Sequence, residues 1–193
     1  LEDGAMYCSI PEATVLDAAD YVQLKSIVSQ LPGIRKGVTY TRFPRKDVIQ
    51  VYGDGTQFEI GKGVTLRQSS EDAATVIASG ILVDEALKAQ ELLASEGIAV
   101  RVIDMFTWKP LDEELVVKAA RECGKIITCE EHNILGGLGE AVCGVLAEKC
   151  PTPVRRIGVN DEFGHSGPAV ELLKQFGLSA EHIADVAKKV LKK

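Results

Sequence analysis

The chain has 193 residues, 46% hydrophobic and 26% charged, with 28 acidic against 22 basic side chains and a formal charge of -6. That length holds one large domain, or one compact domain with part of a neighbour, and the apolar share suffices to bury a core. The acidic balance argues against a nucleic-acid backbone as main partner, because no excess of Lys and Arg can displace counterions, although one basic pocket for a small anionic substrate could coexist with it. No apolar run reaches membrane-spanning length, and the acidic start Leu1-Glu2-Asp3-Gly4 lacks the basic-then-apolar order of a signal peptide, so the expected location is the cytoplasm. The five cysteines, Cys8, Cys123, Cys129, Cys143 and Cys150, show no CxxC spacing and mostly fall in apolar runs, which predicts reduced core thiols and neither a zinc site nor a disulfide framework.

In chain order, residues 13–16 read as a strand and 18–29 as a helix with Val22, Leu24, Ile27 and Val28 near one face. Pro32-Gly33 breaks that helix, and 38–43 is a further strand candidate. Alone, this is too little to bury a core of its own size. Residues 44–70 then read as a connection carrying a short hairpin, with Gly53-Asp54-Gly55 at the turn and Gly61 and Gly63 at later bends.

From residue 73 the pattern becomes regular. Residues 73–79 form a strand apolar on both faces, ended by Gly80. Val83, Ala86, Leu87, Leu93 and Ala94 lie along one helical stripe that Gly97 can close, and strand character returns over 98–105. The βαβ unit then repeats. Asp112 is placed to cap a helix with Glu113 and Glu114 in its first turn and Leu115, Val116, Ala119, Ala120 and Cys123 on its apolar side, before Gly124. Residues 125–129 and 154–159 read as strands around a helix marked by Val142, Val145 and Leu146. Two further helices complete the pattern, one after Pro168 burying Leu172, Leu173 and Phe176, and one capped by Ser179 with Ile183, Val186, Ala187, Val190 and Leu191 inward. The expectation is a three-layer α/β domain with a mostly parallel sheet, preceded by a partial α/β segment.

Several local signatures within this regular part occur together: Ala78-Ser-Gly-Ile81, Val102-Ile-Asp-Met-Phe-Thr-Trp-Lys-Pro-Leu-Asp112, Glu130-Glu131-His132, Gly136-Gly137-Leu138-Gly139, and Arg156-Ile-Gly-Val159 through Phe163-Gly-His-Ser-Gly167 to Glu171-Leu-Leu173. Over residues 76–191 they resemble the C-terminal domain of transketolase, in its split C-terminal-subunit form, more than they resemble deoxyxylulose-phosphate synthase or the β subunits of 2-oxo-acid dehydrogenases. Cys8 and His165 depart from that family's pattern, which has Arg and Glu there. Upstream, Leu1 to Pro11, Val15 to Asp20 and Tyr40 to Arg45 look like the closing third of the family's pyrimidine-binding domain. The resemblance therefore divides the chain into a remnant of that domain at 1–45, a linker at 46–72 and the C-terminal domain at 73–193. It also implies that the cofactor-activating glutamate and the magnesium-diphosphate motif lie outside this sequence. Gly53-Asp54-Gly55 is not that motif, since it lacks the downstream Asn.

The resemblance implies a part of a transketolase that supports dimer and active-site architecture for two-carbon ketol transfer between sugar phosphates. Thiamine diphosphate and Mg2+ serve the complete enzyme, none being expected on this chain alone, which should be inactive. The expected partners are a second copy, a separate thiamine-binding N-terminal subunit, or both. Arg45 and Arg42 match strand-end arginines that reach the sugar phosphate, a task suited to the planar guanidinium; solvated strand-end arginines are the alternative. Glu130, Glu131 and His132 stand at a strand's carboxyl end, where open α/β sheets place ligands, and two carboxylates beside an imidazole could perform acid/base work or bind a metal, yet consecutive residues rarely converge on one atom. The family makes them structural or interface-forming. Gly136, Gly137 and Gly139 permit a tight turn and close helix packing, or an anion at a helix N-terminus. No catalytic residue and no metal ligand is expected. Two other classes stay open: a docking module of the kind found in dehydrogenase β subunits, and an anion-binding regulatory domain.

Overall fold

The structure is a computed structural model that describes residues 1–44 and 48–192. Its centre is a five-stranded sheet in the order β3-β5-β4-β7-β8, comprising β3 (Val64–Arg67), β4 (Thr75–Ala78), β5 (Arg101–Asp104), β7 (Ile126–Asn133) and β8 (Val154–Val159). The β4–β5, β4–β7 and β7–β8 pairs are parallel, with Val76 opposite both Val102 and Ile127, while β3 runs antiparallel on the edge. Alternation along the strands sorts the core by face. Val76, Ala78, Val102, Ile127 and Cys129 meet Leu82, Val83, Ala86 and Leu93 of α3 (Leu82–Ser95) and Ile183, Val186 and Ala187 of α7 (Ala180–Leu191). Ile77, Ile103 and Ile126 meet Val116, Ala119 and Ala120 of α4 (Glu113–Cys123) and Leu138, Val142 and Leu146 of α5 (Leu138–Lys149) on the other. This is the three-layer, mostly parallel α/β architecture expected from the sequence, and covering both faces buries every residue of β4, Thr75 included.

A second sheet, β2-β1-β6, joins the two halves of the chain. Strand β1 (Thr14–Asp17) pairs in parallel with β2 (Thr39–Arg42) and antiparallel with β6 (Thr107–Lys109), so the early strands complete their ladder with residues about ninety positions on. That explains how so short an early segment is stabilised. Around it lie α1 (Asp3–Cys8), a helix the sequence pattern did not announce, and α2 (Tyr21–Gln30), capped by Asp20 accepting from Gln23 N–H at 2.8 Å.

Several expectations are corrected here. No hairpin forms about Gly53-Asp54-Gly55, although Thr56 N–H closes a turn on the Gly53 carbonyl at 3.2 Å. The flanking backbone is held by side chains instead: Val51 and Tyr52 N–H donate to Asp20, and the Phe58 carbonyl accepts from Gln30, which leaves those groups unavailable for a ladder. The later part of the connection contains the edge strand β3. The cysteines do not all lie in the core: only Cys129 is buried and the other four are half-buried. Finally, Ser179 stands at the N-cap of α7 without a capping hydrogen bond, and Ala180 N–H donates to the Glu85 carboxylate of α3 at 2.7 Å. The short α6 (Ala169–Gln175), led by Pro168, has no fully buried residue, and Leu173 and Phe176 pack only partly against the core.

Candidate functional site

Strand β7 runs on through Asn133, so Glu130, Glu131 and His132 lie within the strand, at an irregularity where its register with β8 shifts between Cys129 and Asn133, and Glu130 and His132 are buried while Glu131 is partly exposed. Glu130 is fully buried, and its carboxylate accepts from Leu138 N–H at 2.7 Å and Gly139 N–H at 2.8 Å. These are free amides at the N-terminus of α5, where the helix dipole favours negative charge. The glycine turn makes this possible. Gly136 adopts φ +74°, and a Cβ on Gly137 would stand 2.0 Å from Glu130 Oε2. A Cβ on Gly139 would press on Thr128 Oγ1 at 2.7 Å. Burial nevertheless pushes the Glu130 carboxyl up to about 7 against the pull of those two amides.

His132 lies on the same side, also fully buried. Its Nδ1 stands 2.6 Å from the Asn133 carbonyl, to which only N–H can donate, and its Nε2 accepts from Ala5 N–H at 3.2 Å. The imidazole is thus fixed as the neutral Nδ1–H tautomer, and burial, helped by the nearby Arg42 charge, lowers its pKa. Glu130 Oε2 is 3.8 Å from Nδ1, too far for a hydrogen bond, so the two do not form an acid/base dyad. The ring meets Trp108 edge-on at 5.3 Å.

Arg42, at the end of β2, ties these elements together. Its Nε donates to Asp3 of α1 at 2.8 Å, its Nη2 to the Glu131 carbonyl of β7 at 2.9 Å, and its Nη1 lies 3.4 Å from Asp17 of β1. The guanidinium also stands 5.6 Å from the Trp108 ring, within cation–π range. Asp3 accepts from Tyr40 O–H at 2.7 Å, and Tyr40 is stacked on Tyr7 at 4.0 Å. Burial works to raise the Asp3 carboxyl, but the Tyr40 hydrogen bond and the Arg42 charge prevail and hold it at about 2. For Asp17 burial prevails, and its pKa rises despite Arg42 and a hydrogen bond from Ser79 at 2.9 Å. A cleft of about 260 Å³ opens beside this cluster, lined among others by Asp3, Asp17, Arg42, Ile81 and Glu131.

The structure therefore brings Arg42, Glu131 and His132 to one junction and sets Glu130 with Gly136, Gly137 and Gly139 immediately behind it. Arg45 lies outside the described residues. Sequence reasoning missed Asp3 and Asp17, which lie 39 and 25 residues from Arg42, separations that leave no local period to detect. The available signal was Asp17 itself, a carboxylate directly after the apolar pair Val15-Leu16. As a seat for a diphosphate the glycine turn does not fit, because the Glu130 carboxylate already fills the helix N-terminus. Nor do three His, Cys, Asp or Glu side chains among the described residues group closely enough to hold a metal ion. What the arrangement does chemically is join α1, β1, β2, β6, β7 and α5 through one cation, one neutral imidazole and the buried carboxyls of Asp17 and Glu130.

Residues 61–183 match the family model described as the transketolase C-terminal domain. A 6-deoxy-6-sulfo-D-fructose transketolase subunit from Clostridium sp. (strain MSTE9) is 37% identical over 190 residues, covering 98% of this chain and 58% of that protein. A protein described as a putative transketolase C-terminal section, from Methanocaldococcus jannaschii, is 40% identical over 195 residues, covering 100% of this chain and 60% of its own length. Human transketolase is 37% identical over 194 residues, yet only 31% of it is covered. Among solved structures, a split-gene transketolase described as an inactive β4 tetramer superposes with a TM-score of 0.91 at 40% identity, over 99% of this chain and 61% of that one. This chain thus spans about three-fifths of the split subunits and about a third of the human enzyme. By sequence and by fold, it belongs to the transketolase family and corresponds to the C-terminal section of those enzymes.

Proposed function

We propose that this chain works as the C-terminal part of a cytoplasmic transketolase, organising the dimer and the active-site wall while a separate or preceding thiamine-binding section carries thiamine diphosphate and Mg2+. The reaction of the assembly is transfer of a two-carbon ketol unit from a ketose phosphate to an aldose phosphate, with the bound cofactor supplying the carbanion chemistry. The observation that carries this reading is coverage: nearly the whole chain aligns with a transketolase subunit and with a putative transketolase C-terminal section, each itself part of an enzyme. In support, the chain presents large apolar side chains to solvent, including Phe163 (89% exposed) and Val170 (66%), which suit contact with a partner. No described helix is long and apolar enough to cross a membrane.

Within that assembly we assign residues 1–45 to the end of a pyrimidine-binding domain, 46–72 to the linker and 73–193 to the C-terminal domain. Arg45 takes the sugar-phosphate role. Arg42, whose donors are engaged by Asp3, Asp17 and the Glu131 carbonyl, serves as the cation that aligns the seam. The test is reconstitution with a thiamine-binding N-terminal section and an assay of ketol transfer between sugar phosphates. Turnover only in the mixture is expected. Turnover by the chain alone, or none in a mixture shown to assemble, would overturn the proposal.

A further inference from the structure

Away from the Arg42 junction, a second buried polar cluster holds the connection between the two sheets. Residues 48–60 lie across α2 and the end of β5, making few backbone contacts of their own. Their anchors are side chains. Asp20 Oδ2 accepts from Val51 N–H at 2.8 Å and Tyr52 N–H at 2.9 Å, and Gln30 donates to the Phe58 carbonyl at 2.8 Å. Tyr52 and Phe58 turn inward, edge to face at 4.6 Å, and Phe58 continues onto Phe106 at 5.8 Å. At the bottom, Tyr52 O–H donates to Asp104 Oδ2 at 2.5 Å, and the same oxygen accepts from Gln23 Nε2 at 2.7 Å. Gln23 in turn accepts from Ala19 N–H at 2.8 Å.

Asp104 is fully buried and, among the described residues, its Oδ1 has no hydrogen-bond partner. The ladder gives it apolar neighbours, Val64 of β3 and Ala78 of β4. The titratable groups bearing on it are Tyr52 from the connection, Asp17 from β1 and Asp20 at the start of α2, with the neutral Gln23 as the other donor. None of these supplies a positive charge. A carboxylate there would be desolvated, half unpartnered and beside two further acids, whereas the neutral acid avoids that cost.

We propose that residues 48–60 form a strap latched by the protonated Asp104 carboxyl, so that opening of the strap and ionisation of Asp104 are coupled. Burial, together with the nearby Asp17 and Asp20 and despite the Tyr52 and Gln23 hydrogen bonds, pushes the closed-state carboxyl up to about 7. Once the strap lifts, water reaches the group and its ordinary value, about 3.9, returns. The raised closed-state value fixes the sign: closure is tightest in acid, weakens as pH rises toward 7 and changes no further above it. The opening constant should rise about tenfold per pH unit between pH 5 and 7. This device is independent of the ketol-transfer reading and operates in the chain by itself.

The experiment is hydrogen–deuterium exchange on the full chain at pH 5, 6, 7 and 8, corrected for intrinsic amide rates. Amides of residues 51–58 are compared with those of β4 as an internal reference. Strap protection should fall about tenfold per unit up to pH 7 and then level, while Asp104→Asn, which cannot ionise, should show no step. Flat protection in the wild-type chain, or an unchanged step in Asp104→Asn, would overturn the latch. Should the variant fail to fold, carboxyl-carbon NMR of the wild-type chain decides: a midpoint near 7 for Asp104 supports the latch, and one near 4 sinks it.

Discussion

Gly137 shows how a side chain that is absent shapes the site. A Cβ there would overlap the Glu130 carboxylate, which cannot retreat without releasing Leu138 and Gly139 N–H. Gly137→Ala is therefore expected to cost about 2–3 kcal/mol and lower Tm by roughly 5–10 °C, whereas Gly33→Ala, where a Cβ would meet nothing within 4 Å, should leave Tm within about 2 °C. Thermal melts of both variants check this. His132 carries a pH signature of the opposite sign to Asp104. Its folded-state pKa is depressed, so its contribution is present above the ordinary histidine value of about 6.5 and is lost as pH falls below it. Protonation would place an Nε2–H against Ala5 N–H and release α1. The difference in Tm between wild type and His132→Gln should shrink from pH 7.5 to pH 5, and a difference independent of pH would show that the imidazole stays neutral throughout or is irrelevant to α1.

At the scale of elements, Asp112 does more than cap α4. Besides accepting from Leu115 N–H at 3.1 Å, its carboxylate accepts from Gly63 N–H at 3.1 Å, immediately before β3. Asp112→Ala removes both acceptors at once. Its cost should therefore exceed an ordinary N-cap loss and reach about 2 kcal/mol in chemical denaturation. Exchange at the edge of β3 should rise with it. The local half of this was legible: Asp112 stands where a cap belongs, with two glutamates after it. The tie to Gly63 crosses 49 residues and was not legible. The hairpin expectation failed for a related reason. Gly53-Asp54-Gly55 is a competent turn, but the backbone on either side is claimed by Asp20 and Gln30 from another element.

For the whole molecule, the Arg42 junction ties the early strands to β7 of the regular domain, and the two are expected to unfold as one cooperative unit. Arg42→Ala leaves Asp17 and Asp3 without their cation and should cost about 3 kcal/mol, with unfolding still in one transition. Two separated transitions in calorimetry would show that the second sheet melts alone and that the junction is not its anchor. In the reconstituted assembly, thiamine diphosphate and Mg2+ should give a saturable heat of binding that the separate chain does not give.

The sequence by itself determined the repeated βαβ order, the two-faced burial of β4, the caps at Asp112 and Gly124, and the likeness to the transketolase C-terminal domain. These features rest on residues within a turn or a strand of one another, or on motifs that read as strings. Only the tertiary structure decided that Glu130 fills the α5 N-terminus, that His132 is a neutral clamp on α1, that Arg42 is surrounded by its own carboxylates, and that β6 completes the early sheet. Each of those depends on partners brought together from distant positions, and on burial, which sets a carboxyl or an imidazole to its charge state and leaves no trace in local spacing.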